Sequence, residues 1–300
     1  MASNEMRRGA AEMIVAMLMS GTIGWLVMSS RQPLTNVVFF RCLFGAATLA
    51  IVCAAFGFLR RSLFSPRMLA LATLGSVAIV ANWLLLFAAY SRASISMATA
   101  VYNTHPFMLV ALGAIVFRER ITASTVAWLA LAFAGLVFVV RVEPAVLAVP
   151  GEYLEGVALS LGAAFLYAIS SIVTKHLKGT PPHLLALLQA GLGILLLAPF
   201  AHFGTLPATA GQWLDLIVLG VVNTGLMYVL LYGAIQKLPT AMTGALSFVY
   251  PVVAIVVDRV AFGQTLAWTQ VFGALLILLA AAGVNLGWRI VPARRAAIGN

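Results

Sequence analysis

Asn103-Thr104-His105-Pro106 carries the densest chemistry in this chain. A proline inside an apolar run has no N–H to give its helix, so it frees a backbone carbonyl and kinks the run. Tyr102, Asn103 and His105 crowd the turn before it, and Ser247, Tyr250 and Pro251 make a matching turn late in the chain. Asn82 and Trp83 stand together in a third apolar run, Asn223 and Thr224 in a fourth. Thr224, Tyr228 and Tyr232 follow at i, i+4, i+8 and share one helical face. Aromatic rings with polar handles, amides and an imidazole suit a pocket for an organic solute. The same residues also suit plain packing: His105 could bond a neighbouring backbone carbonyl, and the tyrosines could pack between helices or anchor at an interface. Covalent chemistry is poorly served. There is no pair of acids, histidine–metal cluster or serine–base pair at one depth, and no CxxC, HExxH or P-loop pattern. Neither an enzyme nor a metal or other cofactor is expected.

Arg41 is the one basic residue well inside an apolar run, about seven residues or roughly 10 Å from its end. It could hold an anionic group such as an amino acid's carboxylate, tie helices together through their carbonyls, or snorkel outward. None of the eight acids, Glu5, Glu12, Glu119, Glu143, Glu152, Glu155, Asp215 and Asp258, falls at the middle of a run. An embedded acid is what a proton-driven drug antiporter would need, so facilitated diffusion or exchange fits better.

The elements that must position these residues are transmembrane helices. The chain is 63% hydrophobic and 9% charged, with mean hydropathy +1.05, and continuous apolar runs of this length span bilayers as helices. Spans are expected at 9–29, 34–59, 68–90, 96–117, 122–141, 152–175, 182–203, 212–236, 241–262 and 266–288. The expectation is an all-α polytopic membrane protein with ten transmembrane helices. Arg7 and Arg8 ahead of the first run resemble a signal peptide, but the run reads as a retained first helix. The net charge of +10 reports topology, not nucleic-acid binding. Thirteen of the 18 basic residues fall on the side of the termini and four on the other, which predicts a cytoplasmic location for both ends. Trp213, Trp268 and Trp288 sit near span ends as interfacial anchors. Cys42 and Cys53 share one helix, too far apart to bridge.

The first part of the chain recurs loosely in the second. A shift of 148 residues carries Pro33 to Pro181, Arg41 to Gln189 and Gly45 to Gly193; a shift of 145 carries Ala89 to Ala234, Arg92 to Lys237, Pro106 to Pro251 and Phe117 to Phe262. Residues 1–145 and 146–300 therefore read as two repeats of five spans, and an odd number inverts the second against the first, as in transporters. Ten spans make a complete unit, so a monomer suffices. Gly283-x-x-x-Gly287 is a packing motif also found at dimer seams.

This ordered set resembles the drug/metabolite transporter superfamily, EamA type. The resemblance rests on the basic residue of the second helix, Pro106 in the fourth, the run Phe117-Arg118-Glu119-Arg120-Ile121-Thr122, and Gly135 in the fifth. It continues through Tyr167, Gln189, Pro251, Phe262-Gly263-Gln264-Thr265-Leu266 and Gly273. Gln264 stands where Glu119 stands in the first copy. Asn103-Thr104-His105-Pro106 is similar to the asparagine-to-proline segment of the aromatic amino acid exporter (YddG-like) branch, with His105 in the place of an aromatic residue and Tyr167 at an aromatic position of the sixth helix. The resemblance implies a secondary exporter of amino acids and related small metabolites in a bacterial inner membrane, working by alternating access. Asn82, Trp83, Tyr102, Asn103, His105, Tyr167, Asn223, Tyr228, Ser247 and Tyr250, with Arg41, would line the path. A nucleotide-sugar or phosphate-ester carrier is the alternative, but would call for several buried cations; a structural or signalling membrane protein would lack the path.

Overall fold

The computed structural model describes residues 2–93, 95–139, 150–263 and 267–288. Nine helices among them are long and apolar enough to cross a membrane: α1 Asn4–Ser30, α2 Leu34–Ala55, α3 Pro66–Tyr90, α4 Ala98–Phe117, α6 Gly151–His176, α7 Pro182–Phe200, α8 Ala210–Lys237, α9 Thr240–Ala261 and α10 Trp268–Asn285. A shorter apolar helix, α5 Ala123–Val139, completes ten. The segment joining α5 to α6, Gln264, Arg289, Arg294 and Arg295 lie outside the described residues. Large apolar side chains point outward all round the bundle; Ile51, Ile115, Leu195 and Val260 are each more than 70% exposed. In water such a surface would aggregate, whereas in a bilayer it is solvated.

Side-chain contacts between helix ends establish how the helices run. At one end of the bundle Glu12 near the start of α1 pairs with Lys237 at the end of α8 (2.5 Å), and Glu119 after α4 pairs with Lys175 near the end of α6 (2.8 Å). At the other end Arg92 after α3 pairs with Glu155 near the start of α6 (3.0 Å), and Asn36 near the start of α2 holds the chain after α7 through His202. Successive helices alternate up and down.

The main helix pairings have a regular form. Helix α3 packs on α6 and α7, α8 on α1 and α2, α4 on α6 and α9, α1 on α9, α2 on α7, and α5 on α10. Exchanging the first five helices with the last five, in order, returns the same set, although α8 also packs on α6 and α7, and α9 on α10, without counterparts of similar extent. Local features recur at the offsets found in sequence. Pro33 and Pro181 both cap the starts of their helices. Left-handed residues Arg118 and Gly263 end α4 and α9, and left-handed Arg31 and Gly179 follow α1 and α6.

Helix α4 is interrupted at Asn103-Thr104, and α9 at Phe248, each shortly before its proline. Two more irregularities were not expected from the sequence. Helix α1 breaks at Gly21-Thr22, and α8 widens into a π-helical segment at Val221–Leu226. Such segments concentrate at functional sites.

Close packing is set by glycines. A Cβ on Gly135 of α5 would lie 2.6 Å from the carbonyl oxygen of Gly273 on α10, and a Cβ on Gly273 would strike the Gly135 carbonyl in return. Gly283, expected to support close helix packing, receives the Trp128 ring of the same chain, and the Trp128 indole N–H donates to the Trp288 carbonyl (2.9 Å). That half of the motif is consumed within the chain, because a large ring needs a side chain no larger than hydrogen opposite it.

Candidate functional site

The broken turn of α4 explains the placement of His105. Pro106 has no N–H for the carbonyl of Tyr102, four residues earlier. His105 Nδ1 donates to that carbonyl (3.1 Å), so the imidazole repairs the bond the proline removed. Its ring is then locked between aromatic neighbours, 4.6 Å from Tyr167 of α6 and 5.1 Å from Tyr102. Tyr102 and Tyr167 themselves meet edge to face at 6.0 Å. On the other side of the break, Asn103 donates to the Thr99 carbonyl (2.7 Å) and to the Tyr250 hydroxyl of α9 (3.0 Å). The two proline-broken helices are thus joined across their breaks.

A second group adjoins the first. Arg41 of α2 is 5% exposed; its Nε donates to Thr224 Oγ1 in the π-helical segment of α8 (3.0 Å), and its guanidinium lies over the Trp83 ring at 5.2 Å. Thr224 in turn donates to the Leu219 carbonyl, five residues back (3.0 Å), as the wider turn permits. Close approach of α2 and α8 makes this contact possible: a Cβ on Gly45 would fall 2.7 Å from Thr224 Cγ2 and 3.1 Å from the Gly220 carbonyl. Trp83 and Tyr228 meet edge to face at 6.3 Å, and Tyr228 meets Tyr232 at 5.2 Å. Much of the cluster is shut off from solvent, with Trp83 and Tyr228 at 8% exposure, His105 at 3% and Asn103 at 0%, while Tyr102, Tyr167 and Tyr250 are partly exposed.

Other expected site residues take part differently. Asn82 donates to the Ala163 carbonyl of α6 (2.7 Å), and Asn223 donates to the Met19 carbonyl of α1 (2.8 Å) and to Thr22 Oγ1 (3.3 Å). Each therefore ties its helix to the main chain of a neighbour, and Asn223 holds the break in α1. Asn223→Ala should lower thermal stability in detergent by about 1 kcal/mol; an unchanged melting curve would show that the tie is idle. Ser247 is buried and donates to the Gly244 carbonyl within α9 (2.7 Å). Tyr232, a candidate for interfacial anchoring, is instead buried and donates to Gln189 Oε1 of α7. A phenol deep in an apolar bundle needs an acceptor, and Gln189 is the one in reach.

Sequence reasoning missed the polar closure at the end of the bundle where α1 begins. Glu119 accepts from Thr240 N (3.0 Å) and Thr240 Oγ1 (2.5 Å) at the start of α9, besides pairing with Lys175. Lys175 also donates to the Leu238 carbonyl (2.6 Å), and Glu12 bonds both Arg8 and Lys237. Burial alone would raise the Glu119 carboxyl pKa, but the bonds from Lys175 and Thr240 and the Lys175 charge outweigh it, leaving it below the ordinary value. Glu119, Lys175 and Lys237 help to line an open depression of about 770 Å³, with Glu5, Arg120 and Lys178 around them. The available signal was the Arg92-to-Lys237 correspondence, which marked both as end charges without naming their acids. Among the described residues no three histidine, cysteine or acidic side chains converge to hold a metal.

Comparison with known proteins places this geometry in context. The EamA-like transporter family matches the chain twice, over residues 7–141 and 154–286. The "Uncharacterized transporter YxxF" of Bacillus subtilis (strain 168) is 26% identical over 284 residues, covering 92% of this chain and 91% of its own. An "Uncharacterized transporter" of Archaeoglobus fulgidus is 27% identical, covering 95% and 97%. A "Probable amino-acid metabolite efflux pump" of Salmonella typhimurium is 29% identical over 197 residues, covering 61% of this chain and 64% of that one. A solved crystal structure has the same fold, with a TM-score of 0.84 at 20% identity over 95% of this chain and 98% of the other.

Proposed function

This chain belongs to the EamA-like transporter family, and from that premise we propose a secondary transporter that moves amino acids and related small metabolites across a bacterial inner membrane by alternating access. Residues 1–145 and 146–300 form its two inverted five-helix repeats, and both termini are cytoplasmic. One observation carries this reading: a buried aromatic and amide cluster lies between ion pairs that close opposite ends of the bundle. Lys237–Glu12 joins α8 to α1 at one end, and Arg92–Glu155 joins α3 to α6 at the other. Arg92 falls on Lys237 at the 145-residue offset, and both acids lie near the starts of their helices. The helix pairings that survive exchange of the two sets of five support the same reading.

In this scheme the breaks before Pro106 and Pro251 are the hinges, and the Asn103–Tyr250 bond couples them. Opening one end requires its ion pairs to part while the other end stays shut. The Glu119–Lys175–Thr240 contacts add to the cytoplasmic closure, and the depression they floor becomes the inner vestibule. Export as the working direction, and amino acids as the solute class, are supported by the name of the Salmonella relative. The aromatic lining makes phenylalanine, tyrosine and tryptophan the first solutes to test.

With Glu12, Glu119 and Glu155 paired at the helix ends, the protein works as a facilitator or exchanger. In proteoliposomes, unlabelled amino acid on the far side should accelerate uptake of labelled amino acid, and a pH gradient alone should not drive accumulation. Gradient-driven accumulation that vanishes in His105→Ala would overturn the facilitator mechanism and make His105 the coupling residue. Competition by sugar nucleotides but not by amino acids would overturn the solute class.

A further inference from the structure

Among the described residues the guanidinium of Arg41 has no counter-ion inside the bundle. The ion pairs among the described residues engage Glu12, Glu119 and Glu155 at the helix ends, and none involves Arg41. Its Nε is used on Thr224 and its face lies over Trp83, but Nη2 is fully buried with no hydrogen-bond partner. An unpaired buried charge is costly, and in a membrane protein such a residue lines a path or meets a partner. The planar fork of a guanidinium favours a carboxylate. The surroundings add two further constraints. Trp83 supplies ring surface beneath the guanidinium, and the Tyr228 hydroxyl reaches both Arg41 and Trp83. Asn82 Oδ1 and Asn103 Oδ1 are buried acceptors without donors, and Asn82 stands beside Tyr102 while Asn103 holds Tyr250. The cluster thus lacks one anionic group at Arg41 and N–H donors at the two amide oxygens. It has no surplus of cations of the kind a phosphate ester would need.

We propose that Arg41 is the carboxylate-binding residue of the central site: the transported solute presents a free carboxylate to Nη2, and its amino group faces the orphaned oxygens of Asn82 and Asn103. This deepens the amino-acid reading above and rests on it for the location of the site. It adds that the carboxylate is obligatory and that Arg41 recognises it.

The test uses the purified full-length protein and four related ligands: phenylalanine, its amide, phenethylamine and 3-phenylpropionate. Binding is measured by calorimetry and by ligand-induced thermal stabilisation. Wild-type protein is expected to bind phenylalanine best and 3-phenylpropionate measurably, with the amide and amine weaker than phenylalanine on the order of thirtyfold or more. Arg41→Gln should remove the preference for the two carboxylates and leave the weak binding of phenethylamine unchanged. Arg41→Lys, which keeps the charge without the fork, should lie between them and serves where the glutamine variant fails to fold. Equal binding of phenylalanine and its amide by wild type, or an unchanged carboxylate preference in both variants, would overturn the proposal. If 3-phenylpropionate binds through Arg41 but no amino acid does, the carboxylate proposal stands and the amino-acid reading fails. If amino acids bind regardless of residue 41, the reverse holds.

Discussion

Glu119→Gln is expected to open the end of the bundle where α1 begins and slow transport by about tenfold or more, the effect of losing about 1.4 kcal/mol from one closed state. The size follows from what Glu119 does. It joins three helices through Lys175 of α6 and both the main chain and the hydroxyl of Thr240 on α9. Glutamine keeps the shape but not the charge, so it leaves the largely buried Lys175 without its counter-charge, held by neutral partners such as the Leu238 carbonyl and the Phe117 ring. The measurement is labelling of a cysteine at Ser247, in a background with Cys42 and Cys53 replaced by alanine, using a membrane-impermeant reagent applied to either face. Labelling from the face where α1 begins should rise in Glu119→Gln, while Arg92→Gln should raise labelling from the opposite face by removing the Glu155 pair. A rise from the same face in both variants would show that the ion pairs do not close opposite ends. Acid should imitate Glu119→Gln. A carboxylate with a lowered pKa contributes its stabilisation fully above the ordinary glutamate value and loses it as pH falls through the lowered one. The closure at this end should therefore hold at neutral pH and weaken only below the ordinary glutamate range.

Gly273→Leu is expected to cost at least about 3 kcal/mol of folding stability, with loss of most of the well-folded protein in detergent. The obstacle on each side is backbone: Gly135 and Gly273 each face the other's carbonyl, which no rotamer change can move. Helices α5 and α10 would have to separate, and each is the other's main partner. Gly135→Leu should behave alike. Gly24→Leu is the control, since nothing lies within 4 Å of a Cβ there. Melting temperatures of the three variants check this; equal tolerance at Gly24 and Gly273 would mean that the close crossing of α5 and α10 contributes nothing.

Much of the architecture was legible before any coordinates. Each of the ten expected spans has its helix, within a few residues, because a bilayer demands a long apolar run wherever a helix crosses it. The breaks in α4 and α9 were announced by Pro106 and Pro251, whose ring chemistry acts locally. The break at Gly21-Thr22 and the π-helical segment of α8 had no such mark. Asn223 bonds the Met19 carbonyl and Thr22, and Arg41 bonds Thr224, so both irregularities are held by residues far away in sequence.

The candidate site divides in the same way. Composition and periodicity placed Asn82, Trp83, His105 and Tyr228 inside the bilayer, since each lies at the middle of an apolar run. They did not say which polar groups would be satisfied within the protein. Tyr232 could have faced a pocket, packed between helices or anchored at an interface, and it bonds Gln189; Gly283 belonged to a packing motif, and it seats Trp128. What the linear chain determined by itself was the number of apolar spans, the position of the proline breaks and the place of Arg41 within its span, all consequences of local hydropathy and local covalent geometry. Partner choice was decided only by the folded bundle: Glu119 with Lys175 and Thr240, Arg92 with Glu155, and an Arg41 guanidinium left with one nitrogen unpaired. The reason is physical. Hydropathy acts on each segment separately, whereas hydrogen bonds and ion pairs act over about 3 Å and exist only once helices distant in sequence are side by side.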